Sequence, residues 1–275
     1  MKFTESSLIF SPPPGLVEVS ERSLASTFVV KPKLSELCAS DGSVRAGALA
    51  TLVDVVGGGL AATASQPDWI ATADLTLHLT GAVVAGTVEA RARVVHAGRT
   101  TVVIEVTLHD DRGRQIGLAT MSFARLPRRD QNPDLSDSMT TGTSTMALPE
   151  SAMQGSLLDE IGVHVVDATA GVLEAPVRDW SRNSLGSMQG GAVAAVIDAA
   201  ADAAARATGS DVVVTDLQLT YLALARVGPI RTRVDVLDAR PDRVAMHVEL
   251  VDAGSDGRVT TAGRVVATTS LRDRE

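Results

Sequence analysis

Apolar and polar positions along this 275-residue chain fall into one order, and then fall into it again. Residues 47–64 (GALATLVDVVGGGLAATA) form a nearly unbroken run of small apolar side chains, enough for about five turns of helix. A helix apolar nearly all round has to be wrapped on most sides. Segments with the two-residue alternation of half-buried strands follow at 72–79, 86–95, 100–109 and 116–126. A turn sequence, Asp110-Asp111-Arg112-Gly113, joins the last two. Residues 191–208 (GAVAAVIDAAADAAARAT) then repeat the helix. Residues 211–222, 228–237, 243–251 and 259–270 repeat the strands, with a turn at Gly254–Gly257. The pattern predicts an α+β fold of two tandem units, each a long central helix wrapped by a curved antiparallel sheet, packed together as a pseudo-dimer within one chain.

Between the units lies 128–149 (RRDQNPDLSDSMTTGTSTMALP), rich in Ser, Thr, Asp and Pro and without hydrophobic period. It reads as a flexible tether, which divides the chain into 1–127, a linker at 128–150, and 151–275. The 45% hydrophobic content supplies a sizeable core, but only 3% is aromatic. The core therefore has to be packed from Ala, Val and Leu around helices that approach one another closely.

A formal net charge of −8 argues against a nucleic-acid or anionic-membrane partner, because no global positive field draws in phosphates. A small phosphorylated ligand needs only a local group of arginines, for which Arg45, Arg91, Arg93, Arg99, Arg231 and Arg233 are candidates, although strand arginines usually face solvent. Cys38 stands alone, so no internal disulfide forms; it reads as a small buried thiol in a reducing compartment. The start, MKFTESSLIFSPPPG, has no apolar run of signal-peptide length, and no stretch reads as a membrane span, so a cytoplasmic location is expected. His78, His96, His109, His164 and His247 have no metal-ligand spacing, and no metal or cofactor is expected. Of these, His78 on its strand is the one candidate for a site.

The chemistry is expected at Asp54 and Asp198, which occupy the same place in the two apolar helices. Burial disfavours a charged carboxylate and raises its pKa, which makes a stronger base while the group stays ionised. Asp202 sits four residues from both Asp198 and Arg206 and reads as half of an exposed helix ion pair. The run Gly57-Gly58-Gly59 falls inside the helix, where close packing or a kink explains it better than a phosphate cradle.

Two motifs carry a resemblance. One has the form H-G-G-x-x-x-x-x-x-D and opens a buried helix; the other is a strand of the form T-x-D-L-x-L-x-Y. Copy two has Gln189-Gly190-Gly191 before Asp198, and Thr215-Asp216-Leu217 leading to Tyr221. Copy one has Arg45-Ala46-Gly47 before Asp54, and Thr72-Ala73-Asp74. Over about 15–126 and 155–270 the chain resembles the hotdog-fold acyl-CoA thioesterases of phenylacetate-pathway and 4-hydroxybenzoyl-CoA type, in a tandem double-hotdog form. That resemblance implies hydrolysis of acyl-CoA to free acid and coenzyme A between the two units, without a cofactor, in a homo-oligomer of double units.

The family motif also implies roles and departures. Its histidine is Gln189 in one copy and Arg45 in the other. Its carbonyl-binding amide matches Asn183 in copy two but Ala39 in copy one; its water-positioning hydroxyl matches Thr72 in copy one but Val214 in copy two. The losses are complementary. One composite site is expected from Asn183, Gln189 and Gly190 with Asp54 and Thr72, and a degraded one from Arg45 and Ala46 with Asp198. The absent histidines keep open a non-catalytic acyl-CoA binding or regulatory module, and they disfavour a hydratase. The scarcity of aromatic residues favours aliphatic acyl groups.

Overall fold

Long helices form where the sequence concentrates Ala, Val and Leu. In the computed structural model, the described residues are 43–83, 86–128, 155–183 and 185–269, with the backbone of short strand segments at 18–19, 21–22, 27–30, 33–34, 39–40 and 144–145. Among these residues the α-helices are α1 (Ala46–Ser65), the short α2 (Leu157–Ile161) and α3 (Gly190–Ala207). One sheet wraps them. Its strands are β1 (Glu21–Arg22), β2 (Thr27–Val30), β3 (Trp69–Leu79), β4 (Glu89–Ala97), β5 (Thr101–His109), β6 (Gln115–Leu126), β7 (His164–Asp167), β8 (Val172–Ala175), β9 (Val212–Tyr221), β10 (Ile230–Arg240), β11 (Arg243–Asp252) and β12 (Arg258–Thr269). They run antiparallel in the order β7-β8-β10-β11-β12-β9-β3-β6-β5-β4-β2-β1, a continuous sheet of 12 strands.

The two copies meet where β9 pairs with β3. Leu217 stands opposite Leu77 and Leu219 opposite Leu75, and all four are fully buried. On the outer face the same seam places His78 Nδ1 2.5 Å from Asp216 Oδ1, while Thr220 Oγ1 donates to Asp74 Oδ1 at 3.0 Å. Alternation along these strands is broken once in each copy. Between Asp74 and Thr72 the register with β6 slips at Ala73, and between Asp216 and Val214 the register with β12 slips at Thr215. A bulge re-aims the side chains beyond it. Thr72 and Val214 therefore join the inward face that Leu75 and Leu217 define.

Inside the sheet, α1 and α3 lie side by side with their amino-terminal halves overlapping antiparallel. A Cβ added to Gly47 would meet the Ala195 Cα at 2.5 Å, and one added to Gly191 would meet the Thr51 Cα at 2.5 Å. Thr51 Oγ1 lies 3.0 Å from Gly191 O across this contact. One apolar core runs through both copies, drawing on both helices and both halves of the sheet. The glycine run of α1 does not interrupt the helix, and Gly57 packs against Met121, whose Sδ would lie 2.8 Å from an added Cβ.

Several expectations need adjusting. Helix α1 is long and apolar enough to cross a membrane by composition alone, but the sheet buries most of it as a core helix. The predicted strand at 86–95 is divided: Gly86–Thr87 pairs with Lys33–Leu34 outside the main sheet, and β4 continues. Copy two begins with an unforeseen helix, α2, closed by a capping box of Ser156 with Asp159 and ended by Gly162 at φ 80°. The hairpin β7–β8 follows it. Within the linker only Arg128 and the backbone of Ser144–Thr145, which pairs with Glu18–Val19, are described; the rest of the proposed tether, Cys38 and the side chain of Ala39 lie outside the described residues.

The glycine contact predicts opposite outcomes for two alanine substitutions. Gly191→Ala drives a methyl into the α1 backbone and lowers stability by about 1–3 kcal/mol. Gly58→Ala meets nothing nearer than 4.0 Å and gains helix propensity, so it leaves the denaturation midpoint unchanged or raises it. Equal midpoints for Gly191→Ala and wild type would contradict the close contact.

Candidate active site

Asp54 lies in the third turn of α1, buried at 7% exposure in an otherwise uncharged helix. Two groups at the start of α3 in copy two and one from β3 in copy one reach its carboxylate. The bulge at Ala73 turns Thr72 inward, and its Oγ1 donates to Asp54 Oδ1 at 3.1 Å. Gln189 is the residue that caps α3: its Oε1 accepts from Ala192 N at 2.9 Å, and its Nε2 donates to Asp54 Oδ2. Gly191 N donates to the same oxygen at 3.2 Å. A glutamine fits here because one amide can both accept from the helix and donate to the carboxylate, fixing its own orientation.

Gly190 lies directly against this carboxylate. A Cβ there would sit 3.1 Å from both carboxylate oxygens, so glycine leaves room that alanine would fill. As the first residue of α3 its N–H has no acceptor within the helix, and it carries the positive end of the dipole. Tyr221 joins the site unforeseen: its hydroxyl donates to Gly190 O at 2.9 Å. Tyr221 is the single tyrosine of the chain and fills the last position of the strand motif, which was the available signal.

Burial pushes the Asp54 carboxyl up to about 6, against the hydrogen bonds from Thr72, Gly191 and Gln189 that pull it down. Asp54 is thus a base whose strength is set mainly by desolvation and which is ionised at neutral pH. Burial, and secondarily the charge of Asp54, push the Tyr221 phenol well above its ordinary range, so it remains a donor. Thr72 and Tyr221 also form part of the wall of a cavity of about 630 Å³. Trp69, Leu126, Leu185 and Leu224 give that cavity a largely apolar lining, and Arg128 and Arg226 add positive charge.

Asn183 is not brought against Asp54 by any contact among the described residues. Its Oδ1 accepts from Leu185 N at 2.9 Å and from Ser187 N and Oγ at 3.2 Å, which ties the side chain into the loop before α3. At the other end of the helix pair the equivalent residues form a different arrangement. Arg45 begins α1 without a capping bond, and its Nη1 lies 3.6 Å from Asp198 Oδ2 and 3.4 Å from Asp202 Oδ2. Burial raises Asp198 to about 6, with the Arg45 charge opposing and Asp202 adding to the rise. Asp202 is therefore more than the exposed partner of Arg206 that its spacing predicted: it is half-buried and bridges Arg206 and Arg45. Ala46 stands where Gly190 stands, and Val214 where Thr72 stands.

Other candidates lie elsewhere. His78 is exposed on the seam with Asp216. Arg91, Arg93, Arg231 and Arg233 pair with Glu89, Glu105, Glu174 and Glu249 on the solvated face of the sheet. No group of His, Cys, Asp and Glu among the described residues has the arrangement of a metal site.

Raised carboxyl pKa values have a stability consequence whose sign follows from proton binding. Between pH 3.8 and about 6 the folded protein holds protons at Asp54 and Asp198 that the unfolded chain has released. Stability therefore falls as pH rises through that window, and the full cost is present above it. Replacing Asp54 with Asn removes one such charge, so Asp54→Asn is more stable than wild type at pH 8, by on the order of 1–3 kcal/mol. The gain vanishes near pH 4. Urea denaturation at the two pH values checks this, and a variant no more stable than wild type at pH 8 would refute the charge penalty.

Comparison with known proteins bears on the family and the fold. The thioesterase superfamily model matches residues 41–116 and again 185–259, one match in each copy. No curated protein sequence matches the chain. Among solved structures, a putative thioesterase II from Thermobifida fusca YX superposes with a TM-score of 0.61 at 16% identity, covering 92% of this chain and 95% of that one. The TesB protein of Mycobacterium avium subs paratuberculosis gives 0.59 at 13%, covering 91% and 96%. The 12:0-ACP thioesterase of Umbellularia californica gives 0.60 at 10%, covering 89% and 95%. At these identities the structures attest the double-hotdog fold. Matched in sequence over both repeated halves, the chain belongs to the thioesterase superfamily.

Proposed function

We propose that the protein hydrolyses acyl-CoA thioesters to free acid and coenzyme A, at one composite site per chain. The observation that supports this most is the convergence on Asp54 of donors from both copies, beside a cavity that Thr72 and Tyr221 help to line. The acyl chain lies along the apolar wall, and Arg128 and Arg226 suit the phosphates of coenzyme A. The thioester carbonyl approaches the amino terminus of α3, where Gly190 allows close contact.

Ionised Asp54 takes a proton from a water held between it and Thr72. The water oxygen adds to the thioester carbon, and the electron pair of the C=O bond moves onto the carbonyl oxygen. That oxyanion accepts from the Gly190 N–H in a water-poor setting, where such a bond counts most. As the carbonyl re-forms, the C–S bond breaks, and the proton on Asp54 passes to the departing sulfur. Direct attack by Asp54, through an anhydride that water then opens, uses the same residues. Transfer of solvent ¹⁸O into Asp54 separates the two routes. Asn183 contributes through its Nδ2 end, since its oxygen is held by the loop.

At the opposite end an arginine neutralises Asp198, an alanine replaces the close-approach glycine, and no hydroxyl replaces Thr72, so that end is inactive. Thiol release from short, medium, long and aryl acyl-CoAs tests the proposal. Asp54→Ala is expected to lose about 10²–10⁴-fold in kcat, while Asp198→Ala retains most activity. The kcat/KM of wild type falls as pH drops below about 6, following Asp54. Equal losses in the two variants would overturn the single-site reading. Binding of acyl-CoA without thiol release would make the protein a binding module instead.

A further inference from the structure

The peptide group joining Gly190 to Gly191 carries a hydrogen bond on each side. Its carbonyl accepts from the Tyr221 hydroxyl at 2.9 Å, and its N–H donates to Asp54 Oδ2 at 3.2 Å. Tyr221 does not need to touch Asp54 to act on it. We propose that Tyr221 is a positioning residue for Asp54, working through this one peptide: its hydroxyl fixes the peptide plane and polarises the Gly191 N–H that holds the carboxylate. The inference rests on reading Asp54 as the reacting group.

Three features favour it beyond the two distances. Hydrogen bonds in series polarise one another, and the effect is larger away from water; Gly191 is buried and Tyr221 half-buried. The arrangement also exists at one end only. Aligning the repeated strands places Leu79 of copy one where Tyr221 stands, so the Asp198 end has no hydroxyl to supply this bond. Finally, Tyr221 and Thr72 both line the cavity and reach opposite oxygens of Asp54, Thr72 directly and Tyr221 through the peptide. Each oxygen is thereby tied to a residue of the cavity wall, Oδ1 directly to Thr72 and Oδ2 through the Gly191 N–H to Tyr221.

Few other charges compete for control of Asp54 among the described residues. Helix α3 brings Asp198 and Asp202, both engaged with Arg45. Strand β3 brings Asp74 and His78, and β9 brings Asp216; these lie on the exposed side of the seam. The cavity wall adds Arg128 and Arg226.

The test reads the Asp54 carboxyl directly, as the infrared C=O band that appears on acidification and is missing from Asp54→Asn. Tyr221→Phe keeps the ring and removes the donor, so the titration midpoint should rise by several tenths of a pH unit. Because the chain has a single tyrosine, biosynthetic replacement by 3-fluorotyrosine alters Tyr221 alone. Its more acidic phenol is a stronger donor, and the midpoint should fall. In an active protein the acid limb of kcat/KM moves in the same two directions. Unmoved midpoints in both proteins would overturn the role. If Tyr221→Phe fails to fold, the fluorotyrosine protein decides alone. Shifted midpoints in a protein that releases no thiol would uphold Tyr221 and sink the hydrolase reading, while turnover with unmoved midpoints would do the reverse.

Discussion

The structure depends on a contact that leaves no space for a methyl group. Where Gly47 meets Ala195 and Gly191 meets Thr51, the backbones of α1 and α3 touch. This approach carries the first turn of α3 to the middle of α1, and only at that separation can a backbone N–H of one helix bond to a side chain of the other. A buried carboxylate is ordinarily a heavy penalty unless its charge is met. Here the helix amino terminus, the capping amide and a threonine hydroxyl meet it, and all three positions follow from the helix contact and the sheet that clamps it.

The sheet makes its own contribution through irregularity. A strand that alternated perfectly would point Thr72 at solvent, since Leu75 and Leu77 define its inner face. The bulge at Ala73 reverses that parity and delivers the hydroxyl to Asp54. The same bulge recurs in copy two but delivers Val214. The backbone device is kept in both copies, and its chemistry in one.

Much of this was legible in the residues. Two apolar helices with one aspartate each, followed by alternating strands, predict the repeated unit because hydrophobic period is a local property. The candidate site was legible as far as motif spacing reaches: Asp54, Thr72, Gln189 and Gly190 do come together. What the residues could not disclose depends on register and approach. The engagement of Asn183 Oδ1 by its own loop is a turn without a distinctive signature. Arg45 reaching Asp202 as well as Asp198 requires the crossing of two helices far apart in sequence. The Tyr221–Gly190 bond requires the strand end of copy two to lie over its own helix start, which the motif letter Y does not imply.

The seam between β9 and β3 has a consequence beyond joining two halves. A dimer of identical chains with this geometry would carry two identical sites, and any change to one would be imposed on the other. Covalent linkage of the copies removes that constraint, because each position is encoded twice. Glutamine, glycine and tyrosine stand at one end of the helix pair, and arginine, alanine and leucine at the other. Fusion thus permits the two ends to differ: one gathers hydrogen-bond donors from both copies around Asp54, while the other closes around Arg45, which bridges to Asp198 and Asp202 across the halves.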